Sequence, residues 1–260
     1  MTPRLRVMTG VTLCVAVGVW SAVGSGAAQS VEVASMPPPT SRNFLACPVI
    51  RDTSTVPCWL AEHEGELYYL GSQGSTSSAF YPPQLLHEVL VEATVGTGPR
   101  VCGGVPLVNV EVSVRPELNR ACNTILPAEP AYVAPASPAA PIPRFVDGTR
   151  EFHVLYDFDS DYLTLHATRV IHEAVRIARL VSPARIEVVG ARSAVLLSDG
   201  KTLAEDASFG RKRAEKLAVI LRGLGLDRTP IQVAWIDDSD RLDGLSDRMR
   251  RKTIIRLIER

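Results

Sequence analysis

Several things are scarce in this chain of 260 residues. No lysine occurs before residue 152, and no cysteine occurs after Cys122. No Cys-x-x-Cys pair exists, which argues against a four-cysteine zinc site. No Gly-x-Ser-x-Gly turn surrounds Ser54, Ser72 or Ser113, and His63-Glu64 and His87-Glu88 lack the second histidine of a zinc-protease helix. His166 and His172 are six apart and do not share a helical face. These absences leave enzymatic activity without a motif, with no catalytic residue, metal site or cofactor to assign. Net charge is also absent: 28 basic residues balance 28 acidic ones. Gln29–Glu151 carries 7 basic and 12 acidic residues, and Phe152–Arg260 carries 19 and 16, so neither part has the basic excess of a nucleic-acid binder.

What is present begins with a secretory pattern over residues 1–28. Arg4 and Arg6 precede the apolar run Val11–Val19, and Gly26-Ala27-Ala28 offers a cleavage site. The run is short for a membrane span, although an uncleaved anchor is the alternative, and the mature chain is expected to have no transmembrane span. Cys14 lies too early for a lipid-attachment cysteine. Four cysteines remain: Cys47, Cys58, Cys102 and Cys122. An even number in an exported chain predicts two disulfides, with three pairings open.

Composition divides the rest. Residues 29–42, with Pro37–Pro39, read as a disordered leader. Residues 43–126 read as a small, mostly β domain stapled by disulfides. Cys58–Ala61 and Leu67–Leu70 form a hairpin bent at Gly65; Glu88–Val95 and Val108–Val114 are further strands, with Leu85–Leu90 alternatively a helical turn. A barrel resembling the OB type is expected there. Residues 127–146 form a Pro/Ala-rich linker, with six prolines in the 17 residues Pro127–Pro143.

Residues 147–260 have the clearest periodicity. Leu163, Ala167, Val170, Ile171, Ala174, Ile177, Ala178 and Val181 share one helical face, and Pro183 ends that helix. Ile186 and Val188 start a strand. A second helix spans about Asp206–Leu224, and Ile231–Ile236 and Thr253–Ile258 are the last strands. The fold class is therefore α+β, with helices on one face of a mixed sheet. Asp157, Asp159 and Asp161 alternate, but lack the glycine and glutamate of a calcium loop and read as a solvated strand edge. Arg248–Lys252 reads as a solvated entrance to the last strand, with membrane-surface contact as the weaker reading.

The order strand, helix, strand, helix, strand, strand resembles the OmpA-like domain over about 105 residues. Tyr156-Asp157-Phe158-Asp159-Ser160 matches the family's Phe-Asp signature, Gly190 its strand-ending glycine, Arg213-Ala214 its Arg-Ala pair, and Met249-Arg250-Arg251 its Arg-Arg pair. The resemblance implies that an aspartate and an arginine clamp diaminopimelate of the peptidoglycan stem peptide. One anion meets the ammonium, and one guanidinium and the amides of a helix N-terminus meet the carboxylate. Arg213 is the implied guanidinium. Ser193 stands where the aspartate belongs, Asp206 where asparagine is usual, and Phe209-Gly210 where Leu-Ser is usual. Asp199, in the lengthened loop Ala191–Glu205, is the replacement anion. An alternative for Arg213 is a helix-surface arginine paired with Asp206 or Glu205. The resemblance implies a non-enzymatic, exported envelope protein, located in the periplasm near the outer membrane or wall, that docks on peptidoglycan through a degenerate clamp. The alternative is a structural or interaction module for other envelope proteins, with the fold retained and peptidoglycan binding lost.

Overall fold

A computed structural model describes residues 40–74, 80–129, 132–139, 144–145 and 150–259. The expected export signal and most of the expected leader lie outside them. Ala34–Arg260 forms one compact unit.

Seven strands build the first sheet: β1 (Ser41–Ala46), β2 (Pro48–Arg51), β3 (Cys58–His63), β4 (Glu66–Ser72), β5 (His87–Val95), β6 (Val105–Leu118) and β7 (Thr124–Leu126). Ser41 and Arg42 thus belong to a strand rather than to the leader. The hairpin at Gly65 forms as expected. Glu64 and Gly65 take φ of 53° and 76°, the left-handed pair that lets a two-residue turn follow strand twist. The hydrogen-bonded order is β1-β5-β6-β4-β3-β2-β7, leaving β1 and β7 as edges, so the sheet is open where a barrel was expected.

The cysteines pair as Cys47–Cys122 and Cys58–Cys102, closing loops of 75 and 44 residues. Chain-entropy arguments give about 4 kcal/mol for loops of this size. Such staples matter in a sheet whose core is split between two modest apolar clusters, one around Phe44, Val89 and Val91 and another around Leu60 and the second disulfide.

The expected linker is not free of the sheet. Ala134 is buried, the Ser72 hydroxyl donates to the Pro135 carbonyl (2.7 Å), and the Ser137 hydroxyl donates to the Ser72 carbonyl (2.6 Å). Proline removes backbone donors but leaves carbonyls, so this segment accepts through the Pro135 carbonyl and donates through the Ser137 side chain.

The second sheet contains β8 (Glu151–Leu155), β9 (Arg185–Arg192), β12 (Ile231–Asp237) and β13 (Lys252–Ile258) in the order β12-β9-β13-β8. β12 runs parallel to β9, while β13 is antiparallel to β9 and β8, giving a mixed sheet. Helices α1 (Leu165–Val181) and α2 (Phe209–Leu221) cover one face. Thr164 caps α1 by accepting from the Ala167 amide (3.2 Å). Ser182 ends it in the left-handed conformation, and Pro183 follows. The buried stripe Ala167, Val170, Ile171, Ala174 and Ala178 is the face read from the sequence. After α2 the chain widens into a π-type turn over Arg222–Leu226, with Gly225 at φ 88°.

One element was not anticipated. The stretch read as a long loop contains a hairpin, β10 (Ala194–Leu196) and β11 (Thr202–Ala204). Val195 and Leu197 pack with Phe158 against Leu90 of the first sheet. Asn43 on β1 sews the same junction: its side-chain amide donates to the carbonyls of Leu196 (3.0 Å) and Gly244 (2.8 Å). The inserted hairpin therefore docks the chain onto itself.

Candidate functional site

Gly190 and Gly210 set the geometry of the site. A Cβ on Gly190 would lie 2.0 Å from the Gly210 carbonyl oxygen, so only glycine lets the first turn of α2 approach β9 this closely. That approach delivers Arg213 over the end of β9.

Arg213 is completely buried and uses every donor it has. Nε donates to the Ser160 carbonyl (2.8 Å). Nη1 donates to the Ala191 carbonyl (3.0 Å) and Glu205 Oε2 (2.9 Å). Nη2 donates to the Asp157 carbonyl (3.1 Å) and Glu205 Oε1 (2.5 Å). Five N–H groups meet five acceptors, which exhausts a guanidinium. The rings of Tyr156 and Phe209 flank it at 4.8 and 5.2 Å. Burial is the main reason the Tyr156 phenol is pushed up to about 12, so it remains protonated.

Glu205 is equally occupied. Besides the two-point contact with Arg213, it accepts from the backbone amides of Asp159 (3.0 Å) and Ser193 (2.9 Å). Its carboxylate occupies the two-pronged edge of the Arg213 guanidinium.

The other expected clamp residues fall into two groups. Ser193 is buried beside Glu205 and contributes its amide; its hydroxyl donates to the Ala194 carbonyl (3.2 Å). Gly190 lies under α2. Asp206 and Asp199 face solvent instead. Asp206 accepts from the Ser208 amide and hydroxyl, which hold its carboxyl below the usual range. Asp199 bonds the Lys201 ammonium (2.8 Å) and amide (2.9 Å), which likewise lower it. Neither is among the acceptors of Arg213.

The three alternating aspartates go to three separate places rather than to one solvated edge. Asp157 offers its carbonyl to Arg213 (3.1 Å), Asp159 pairs with Arg115 of β6 (2.8 Å), and Asp161 pairs with Lys216 (3.2 Å). Arg251, expected in a solvated run, is fully buried and ion-paired with Glu92 of β5. Burial is tolerable here only because the acid accompanies it.

Sequence reasoning missed Glu92 and Glu111 altogether. Glu92 had a usable signal: it follows Val89-Leu90-Val91 within one strand, and a charge inside such a run demands a buried counter-ion. Among the described residues, no group of three or more His, Cys, Asp or Glu is placed to hold a metal ion. Among the same residues, no helix is long and apolar enough to cross a membrane.

No protein-family model matches the chain, and no curated protein is similar to it by sequence. Solved structures similar to the chain include these two. A MotB-like protein from Desulfovibrio vulgaris is 14% identical over 42% of this chain and 75% of its own, with a TM-score of 0.34. The OmpA-like domain of FopA1 from Francisella tularensis is 17% identical over 43% of this chain and 75% of its own, also with a TM-score of 0.34. Glu151–Ile258 is an α+β unit whose order of elements is similar to that of the OmpA-like domain, with one hairpin between its second strand and second helix.

Proposed function

We propose that this chain is a non-enzymatic protein of the cell envelope, of the peptidoglycan-associating OmpA-like kind, that acts there as a structural or protein-binding module. Its clamp is closed by its own Glu205. The observation that carries this reading is the saturation of Arg213: all five donors are taken by internal acceptors. A stem-peptide carboxylate would have to evict Glu205 from a fully buried site. Two disulfides fit an oxidising, periplasm-facing location.

A second reading, wall docking through Arg213, draws on the retained set Gly190, Arg213-Ala214 and Arg250-Arg251. It requires Glu205 to swing away when ligand arrives.

The mature full-length chain, mixed with purified sacculi and with free meso-diaminopimelate, separates the two. The proposed reading expects no shift of the Arg213 Nε–H resonance on adding diaminopimelate, and no competition by it for any sacculus-bound fraction. A saturable shift of that resonance, with competitive release from sacculi, would establish the second reading instead.

A further inference from the structure

An edge strand offers a row of unpaired amides and carbonyls, and proteins usually blunt it with charge, proline, a bulge or a cover. The other outer strands of the two sheets are blunted in this way. At β1 the Asn43 amide donates to the Ser198 hydroxyl (2.9 Å), and the Asn43 carbonyl accepts from the Ser198 amide (2.8 Å). β7 has only three residues, and β8 carries Glu151 and His153 at its exposed positions.

β12 has none of these guards. It runs seven residues in unbroken register with β9, its only strand neighbour among the described residues. No charged residue and no proline interrupts residues 231–236, and Trp235 and Ile236 are 51% and 46% exposed. The Ile186 amide donates to the Pro230 carbonyl (2.9 Å), and the Asp238 amide donates to the Arg192 carbonyl (3.0 Å). Even-numbered residues therefore bond β9. By the alternation of a parallel ladder, Ile231, Val233, Trp235 and Asp237 turn their amides and carbonyls toward the open edge.

We propose that β12 pairs antiparallel with β12 of a second copy of this chain, about a two-fold axis at Ala234, joining the two four-stranded sheets into one. The pairing is independent of whether Arg213 holds a ligand.

The edge is complementary to itself in that register. Val233 bonds the partner's Trp235, and Ile231 bonds the partner's Asp237, so every outward backbone group of β12 finds a mate. A shift of two residues either way leaves one end unpaired. Ile231 and Val233 pack toward the helices, and Trp235 follows on that face with Arg211 over its ring at 5.5 Å. Val233 beside the partner's Trp235 is a β-branched–aromatic pair, a favourable cross-strand combination. On the other face, Ala234 meets the partner's Ala234 at a close, non-hydrogen-bonded position, which suits a small side chain. Charge fits as well. Carried past the strand ends, the register sets Arg228 opposite the partner's Asp240. Both residues are exposed, and neither has an ion-pair partner among the described residues.

Sedimentation equilibrium of the mature full-length chain, from micromolar to millimolar concentration, tests the pairing together with engineered cross-links. A reversible doubling of mass is expected. Ala234→Lys places two ammonium groups against each other at the axis and should weaken self-association by about tenfold or more. Ala234→Cys should form an intermolecular disulfide on mild oxidation, because α-carbons at such a position lie about 4.5 Å apart. Gln232→Cys, on the same face but opposite the partner's Ile236, should not. A monomer at every concentration overturns the proposal and leaves the edge to a strand from another protein. Cross-linking as ready at Q232C as at A234C, or a dimer indifferent to A234K, also overturns it. Should A234K fail to fold, the two cysteine variants decide.

Discussion

Arg251 and Glu92, 159 positions apart in the chain, form a two-point ion pair sealed from water, with side-chain exposures of 0% and 5%. One residue immediately precedes the last strand of the second sheet and the other belongs to the disulfide-bearing sheet. With Arg213 and Glu205 close by, the protein keeps two arginine–glutamate pairs in its interior. Interior ion pairs specify a fit more than they add net stability, because desolvation offsets most of the attraction.

That balance gives a double-mutant expectation. Arg213→Met alone, or Glu205→Leu alone, should cost about 3–5 kcal/mol, since each strands a buried charge. The combined replacement should lose clearly less than the sum of the two single ones. Urea denaturation of the three variants measures the cycle. Additive losses would mean that the two side chains do not act as a pair.

Ser193→Asp supplies the acid that the OmpA-like pattern places there. In this protein the position is fully buried, and its amide already bonds Glu205. A second carboxylate beside Glu205 should destabilise the chain by about 3–5 kcal/mol, as an unpaired buried charge does, and should create no diaminopimelate binding. Thermal unfolding together with a ligand titration reads both outcomes. Binding gained without loss of stability would contradict the closed clamp.

Gly190→Ala probes the seat of α2. The added methyl would meet the Gly210 carbonyl oxygen at 2.0 Å and the Ala214 methyl at 3.0 Å, and a backbone atom cannot rotate aside. The helix must back away, drawing Arg213 off its acceptors. A loss of about 3 kcal/mol is expected, measured by chemical denaturation. An alanine variant of unchanged stability would show that the helix has slack.

Much of the scaffold was legible because local patterns carried it. The α1 stripe, the Glu64-Gly65 turn and the strands at Ile186, Ile231–Ile236 and Thr253–Ile258 follow from periodicity and turn chemistry. The site was legible only in part. Gly190 and Arg213 stand together, as the OmpA-like pattern implies, but the anion that answers Arg213 is Glu205. Glu205 was considered only as a surface neighbour. Its buried setting is made by the amides of Asp159 and Ser193, contacts spanning 46 and 12 residues. The hairpin within Ala191–Glu205 was missed because each arm has only three residues, too few for alternation to register. Arg251 was misread for a related reason: within Arg248–Lys252 nothing local separates the cation that goes inside from those that stay out.

The Ser113 hydroxyl accepts from the Phe158 amide and Arg115 donates to Asp159, and this engagement has a practical corollary. A protease cut between residues 139 and 150 would not free the OmpA-like unit, because the two fragments would still grip one another and migrate as one particle. Nor is that unit a portable cassette. Excised alone, it would turn Phe158, Val195 and Leu197 out to water and orphan Arg251, so grafting it elsewhere means carrying its disulfide-bearing companion along.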